Sequence, residues 1–166
     1  MKLGKKDIEL TYGEISPIGM KQFNELEPKC EKFMDVGSGY GKFTWIMGRF
    51  FGAKDAYGIE IDIEKYRVAN RHFGGNYNRN IHFECGDFRK YKNLIKEMDV
   101  VYCNCICWRI ETVKELISYL SPNCKFYHNS SKYYSKNQGI HDLVKLNVHW
   151  LDSDAQFYKL NTNIER

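Results

Sequence analysis

The chain has 166 residues, of which 43% are hydrophobic and 28% are charged, a composition that excludes a disordered chain and is typical of one globular domain. No apolar stretch approaches the about 20 residues that a membrane helix needs, and residues 1–6 are polar and basic, so we expect neither a membrane partner nor a secretory signal. The net charge of +4 is compatible with an acidic partner but is too small to identify one.

Short apolar or β-branched runs bounded by Gly, Asp or Asn predict five buried strands, at residues 32–36, 56–61, 81–85, 99–104 and 124–128. Helical patterns precede and separate them, at residues 15–26, 40–51, 63–73, 88–97 and 110–120. Strands that alternate with helices form mostly parallel sheets with helices on both faces.

The end of the chain changes this pattern. Residues 144–151 and 155–161 are typical of two strands, and the three residues between them, 152–154, are short enough only for an antiparallel hairpin. We therefore predict an α/β fold with a seven-stranded, Rossmann-like sheet that ends in an antiparallel hairpin.

The glycine-rich segment DVGSGYG, residues 35–41, lies between the first predicted strand and the next helix. Its glycines allow a tight turn and a close approach of the backbone to a ligand, near the positive end of a helix. A dinucleotide-binding loop would have a third glycine at position 42, which is a lysine here. The acid at position 35 is unfavourable beside a pyrophosphate but suits an ammonium group. We predict that this loop binds a cofactor through Asp35, Gly37, Ser38, Gly39, Gly41 and Lys42.

Acids also end the next two strands. Glu60 can accept hydrogen bonds from two ribose hydroxyls. Asp87 can accept one from an exocyclic amine such as adenine N6, and Phe88 can pack on the ring, although Asp87 is equally well placed to cap a helix. A ribose, an adenine and a charged amino-acid tail describe S-adenosyl-L-methionine (SAM). We therefore predict SAM as the cofactor and S-adenosyl-L-homocysteine (SAH) as its product.

The glycine loop and the two acids resemble the seven-stranded SAM-dependent methyltransferases in general. Other stretches resemble one family more closely: TYGEISP (11–17), VVYCNCICW (100–108), SSKYY (130–134) and NVHWLDSDAQFYKL (147–160). They are similar to the disruptor-of-telomeric-silencing family, the non-SET enzymes that methylate lysine of histone H3 in nucleosomes. The resemblance implies a single methyltransferase domain, with a cofactor-covering loop and helix at 1–30, a SAM-binding core at 31–129 and a C-terminal segment and hairpin at 130–166.

The resemblance also implies roles for individual residues. Tyr12 and Glu14 would lie on a loop that closes over the methionine end of SAM, and Asn104 would lie beside the transferring methyl group. Asn104 and Tyr12 are thus the expected catalytic residues, although a plain strand-ending turn also explains Asn104. The family usually has Asn-Asn-Phe after the fourth strand, whereas Cys105 and Ile106 follow Asn104 here.

A narrow aromatic channel for the substrate lysine would be lined by Trp108, Trp150 and Phe157. Such a channel would disfavour the charged amine and would hold the methylated product by cation–π contact. The alternative for Trp150 and Phe157 is ordinary hairpin core. The resemblance thus favours a protein-lysine N-methyltransferase with histone H3 or the nucleosome as its partner.

Two other functions remain open. One is a SAM-dependent methyltransferase of RNA or another non-histone substrate, although the [DN]-P-P-[YF] motif of base methylases is missing. The other is a non-catalytic adapter that keeps the fold. Nucleic acid would be contacted through two basic clusters, Lys2, Lys5 and Lys6, and Arg89, Lys90 and Lys92. The six cysteines occur without an export signal, so we expect reduced thiols and an intracellular location, nuclear for a histone substrate and compatible with a compact viral enzyme. No C-x-x-C pair and no His pair with zinc-like spacing occurs, so we expect no metal site.

Overall fold

The computed structural model describes residues 14–75, 78–134, 141–148 and 155–161. Its strands are β1 Lys32–Val36, β2 Asp55–Glu60, β3 Ile81–Cys85, β4 Val100–Cys103, β5 Lys125–His128, β6 His141–Leu146 and β7 Ala155–Asn161. They form one sheet in the order β3-β2-β1-β4-β5-β7-β6. Strands β1 to β5 are parallel, and β7 runs antiparallel between β5 and β6. The predicted seven-stranded α/β fold is confirmed.

The helices are α1 Pro17–Leu26, α2 Lys42–Arg49, α3 Ile63–Phe73, α4 Lys92–Ile95, α5 Ile110–Tyr119 and α6 Ser131–Tyr134, with a 3₁₀ turn at Phe88–Tyr91. The ends of two of them follow from local chemistry. The Ser16 hydroxyl accepts from the backbone N–H of Gly19 at the start of α1, and the Asp62 carboxylate accepts from that of Glu64 at the start of α3. The helices in the described ranges are all too short or too polar to cross a lipid bilayer.

Side chains of the central strands alternate between two apolar clusters, one on each face of the sheet. On one face, Phe33 of β1 packs with α1 and α2, where the rings of Phe23 and Phe43 lie 5.3 Å apart. On the other face, Met34 packs with Leu116 of α5. The central strands are therefore covered on both sides, which explains why they are continuously apolar.

A buried carboxylate joins α1 to the antiparallel end of the sheet. The Glu27 side chain is 4% exposed and accepts hydrogen bonds from Lys125 Nζ at 2.6 Å and from the Tyr127 hydroxyl, both on β5. Lys159 Nζ of β7 lies 3.1 Å away. Burial raises the pKa of Glu27, but these three partners outweigh it, so the pKa lies below its ordinary value. Glu27 is therefore ionised in the folded protein, where Lys125 and Lys159 compensate its charge.

The first strand of the hairpin is present, but its bounds differ from the predicted 144–151, of which residues 149–151 lie outside the described residues. Strand β6 begins at His141 and ends at Leu146, which pairs with Ala155 of β7. The link between the two strands is therefore residues 147–154 and not the three residues 152–154. The prediction of β7 at 155–161 is confirmed.

The chain leaves the ladder at residue 147 because its polar groups bind the start of α1. The Asn147 carbonyl accepts from the backbone N–H of Ser16 at 3.1 Å, its side chain bonds the Ser16 hydroxyl, and its own N–H donates to Gln22 at 2.9 Å. Val148 then forms an isolated antiparallel bridge with Ile15. These contacts, the Ser16–Asn147 clasp, attach the N-terminal segment to the end of β6.

Candidate active site

The carboxyl ends of β1 to β4 meet at one edge of the sheet, where sheets of this type bind ligands. Two clefts open there. The Trp108 cleft is lined among others by Gly37, Ile59, Ile61, Asp87, Phe88 and Trp108. The Asp35 cleft is lined among others by Glu14, Asp35, Gly37, Ser38, Lys42, Tyr102 and Asn104. Gly37 lines both, so the clefts meet at the glycine loop.

The glycine loop needs glycine for two physical reasons. Gly37, Gly39 and Gly41 all have positive φ, which side chains other than glycine rarely adopt. Gly41 also has no room for a side chain, because a β-carbon there would overlap the ring of Phe83. The backbone N–H of Gly37 donates to the carbonyl of Ile59 at 2.8 Å, so the loop folds back across the end of β2.

Glu60, the predicted ribose ligand, also holds the glycine loop. Its side chain is buried, and its two carboxylate oxygens accept from the backbone N–H groups of Gly39 at 2.7 Å and Asp62 at 2.8 Å. Each carboxylate oxygen can accept a second hydrogen bond, so these contacts leave acceptor capacity for two hydroxyls. Glu60 therefore connects the ends of β1 and β2 around the point where the two clefts meet.

We expect the substitution Glu60→Ala to lower the affinity for both SAH and adenosine by roughly 10- to 100-fold, because it removes the ribose acceptor and leaves two backbone donors without a partner. Isothermal titration with each ligand measures the effect. Glu60→Gln, which keeps one acceptor oxygen, should lose less. Unchanged adenosine affinity in Glu60→Ala would contradict the ribose assignment.

Asp35 lies buried close to two other acids, Glu60 and Glu14. The side chain is 5% exposed, and burial, Glu60 and Glu14 together raise its pKa well above the ordinary value. These carboxylates do not form a metal cluster within the described residues. A ligand ammonium would offset the repulsion, and Lys42 of the same cleft supplies a charge for a ligand carboxylate. The cleft fits the amino-acid end of SAM.

The Trp108 cleft has the character of an adenine site. The rings of Phe88 and Trp108 are nearly parallel, with centroids 5.7 Å apart, and the cleft wall is mostly apolar. Asp87 caps the 3₁₀ turn, which is the alternative role that the sequence allowed for it. Its carboxylate also accepts a hydrogen bond from the Arg89 guanidinium at 2.8 Å. That guanidinium also pairs with Glu115. Contact between Asp87 and adenine N6 stays a prediction.

Asn104 lines the Asp35 cleft and is held there by a residue that we did not predict. The Asn129 side-chain amide donates to the Asn104 side-chain oxygen. Asn129 is 3% exposed and follows β5, which neighbours β4 in the sheet. The signal in the sequence is a polar residue at or just after the end of a buried strand, as for Glu60 and Asp87.

The proposed aromatic channel requires a correction. Phe157 is fully buried and stacks on Tyr102 with centroids 5.4 Å apart, so it is core and cannot line an open channel. Trp108 lies in the cleft of Phe88 and not with Asn104 in the Asp35 cleft. Alternation along a strand identifies a buried face but does not separate a cleft wall from a packed core. Trp150 and Tyr12 lie outside the described residues.

Comparison with known proteins places this geometry in a family. The family model described as "Methyltransferase domain" matches residues 33–124, which include β2 to β4, all of β1 except Lys32, and the lining of the Trp108 cleft, whereas Glu14 of the Asp35 cleft lies before the matched range. No curated protein sequence matches the chain.

Solved structures share the fold. An RNA methyltransferase from Salinibacter ruber, in complex with SAH, is 22% identical, with a TM-score of 0.73 over 92% of this chain and 95% of its own. An O-methyltransferase from Bacillus cereus, also with SAH, is 12% identical, with a TM-score of 0.67 over 93% and 85%. A ribosomal protein L11 methylase from Lactobacillus delbrueckii subsp. bulgaricus is 15% identical, with a TM-score of 0.62 over 86% and 76%.

Two of these structures contain SAH, the product of SAM. The predicted cofactor, SAM, is confirmed, and it supplies an activated methyl group on a sulfonium. None of these three structures is described as a histone methyltransferase. The chain belongs to the methyltransferase domain family and is a SAM-dependent methyltransferase.

Proposed function

We propose that the chain methylates a nitrogen atom of an RNA base. The observation that carries this proposal is the open apolar rim of the site. Tyr40, Ile61 and Ile106 follow the carboxyl ends of β1, β2 and β4 and are 42%, 56% and 54% exposed. Large exposed apolar side chains around a cofactor cleft suit a flat ligand, because a base can stack on an aromatic face.

The polar groups at the transfer end support a neutral nitrogen acceptor. Asn104, which is held by Asn129, lines the Asp35 cleft, where its amide can orient an amine by hydrogen bonding but does not remove a proton. A strong base is not needed when the methyl donor is already activated and alignment supplies much of the rate. The almost complete overlap with an RNA methyltransferase of similar length also supports an RNA substrate. Phosphate contacts through Lys90 and Lys92 would make the activity fall as the salt concentration rises.

A second candidate is the lysine of histone H3. It is favoured by the position of Glu14, which lines the Asp35 cleft as the resemblance to the histone-methylating family implied. The burial of Phe157 in the core argues against the lysine candidate, because this residue was expected to line the lysine channel. The open rim therefore makes RNA the first candidate.

The test is transfer of labelled methyl from SAM to total RNA, free histones and nucleosomes in parallel. We expect label in RNA, its loss in Asn104→Ala, and a roughly 10-fold or greater loss in Tyr40→Ala with SAH affinity retained. The matched control is Phe50→Ala, an exposed aromatic residue at the opposite end of α2, which should not change the rate. Label in histone H3 and not in RNA would replace the first candidate by the second. Absence of SAM binding would favour a non-catalytic adapter.

A further inference from the structure

Tyr102 occupies a position in the Asp35 cleft that neither the sequence motifs nor the relatives assign. It pairs in register with Asp35 across β1 and β4, so the two side chains project from the same face of the sheet. Its ring is held at nearly right angles to Phe43, with centroids 5.0 Å apart, and is stacked on Phe157. This packing fixes the direction of the hydroxyl group.

The Tyr102 hydroxyl is buried without a hydrogen-bond partner among the described residues. Leaving such a group unpaired destabilises a fold, and most buried hydroxyls are therefore bonded. The Ser38 hydroxyl of the same cleft is unpaired as well. Two orphaned hydroxyls in one cofactor cleft indicate that the ligand completes their hydrogen bonds.

The chemistry of the cleft determines which ligand group this is. Asp35 and Glu14 account for the ammonium of the amino-acid end, and the carboxylate of that end needs donors. Burial and the neighbouring Asp35 raise the pKa of Tyr102, so its hydroxyl keeps the proton that it donates. We propose that Tyr102 is a cofactor-binding residue whose hydroxyl donates to the α-carboxylate of SAM. The proposal concerns the cofactor and does not depend on the methyl acceptor.

The test compares two ligands on the variant Tyr102→Phe, which removes only the hydroxyl. SAH carries the amino-acid end, and 5′-methylthioadenosine lacks it. We expect the dissociation constant of SAH to rise roughly 10- to 100-fold and that of 5′-methylthioadenosine to stay unchanged. The melting temperature of the ligand-free protein should stay the same or rise, because the variant removes an unpaired polar group.

Tyr127→Phe is the matched control. Tyr127 pairs in register with Tyr102 on the next strand and is also buried, but its hydroxyl is bonded to Glu27, away from the clefts. This variant should lower the melting temperature and leave both affinities unchanged. Three outcomes would overturn the proposal: unchanged SAH affinity in Tyr102→Phe, an equal loss for both ligands, or a fall in melting temperature like that of Tyr127→Phe.

Discussion

Asparagine in place of Asp35 is expected to weaken SAM binding by roughly 10- to 100-fold and to stabilise the ligand-free protein. Affinity falls because the ligand ammonium loses a charged acceptor. Stability rises because Asp35 is buried beside Glu14 and Glu60, which disfavour its charge. Each kcal/mol gained should raise the melting temperature by about 2–4 °C in a chain of this length.

The pH dependence follows from the direction of the shift. Because the pKa of Asp35 is raised in the folded state, its contribution to stability is complete below the unfolded value near 3.8 and is lost as the pH rises through the folded value. The advantage of Asp35→Asn should therefore be small at pH 4 and should grow towards neutral pH. Thermal melting of both proteins across this range measures it. A difference in stability between the two proteins that stays constant with pH would contradict the assignment. The affinity for adenosine should be the same in both proteins.

Alanine in place of Glu27 is expected to destabilise the fold by about 3 kcal/mol, the lower end for breaking a buried ion pair, because Lys125 and Lys159 keep some contact with water. Denaturant unfolding measures this loss. The control is Glu31→Ala, which removes an exposed ion pair with Lys54 and should change stability much less than Glu27→Ala does. Similar losses in both variants would contradict the role of burial.

The same carboxylate predicts a distinct response to acid. The folded-state pKa of Glu27 is lowered, so its contribution to stability is present above the unfolded value near 4.5 and is lost as the pH falls through the folded value. Asp35 and Glu27 thus act in opposite directions. The difference between the wild type and Glu27→Ala should shrink in acid, which pH-dependent unfolding of the pair checks.

Sequence reasoning succeeded where local chemistry marks the ends of elements. The bounds of β1, β3, β7 and α3 agree with the prediction, because Gly, Asp and Asn flank them. The predicted helix at 40–51 begins only at Lys42, since Gly41 has a left-handed φ of 78°. The predicted helix at 88–97 is instead a 3₁₀ turn followed by the short α4, and its cap at Asp87 was foreseen only as an alternative.

The residues that the sequence did not reveal depend on contacts between distant segments. Tyr102 looks like any apolar strand residue until its register with Asp35 is known. The role of Asn129 depends on the pairing of β5 with β4, which places its side chain against that of Asn104. The predicted channel role of Phe157 was wrong for the same reason, because hydrophobic periodicity does not reveal which packed layer a strand faces. Residues within a few positions of a strand end, such as Glu60, were accessible to local reasoning.

The Ser16–Asn147 clasp bears on the order in which the site is assembled during synthesis. The glycine loop and Glu60 belong to strands that can pair early, whereas the segment carrying Glu14 is fastened by a residue that follows β6. One wall of the Asp35 cleft is thus made of chain that precedes β1 but is anchored by chain that follows β6. A nascent polypeptide in which β6 and β7 have not yet been synthesised would hold the nucleoside half of the cofactor site without its completed amino-acid half.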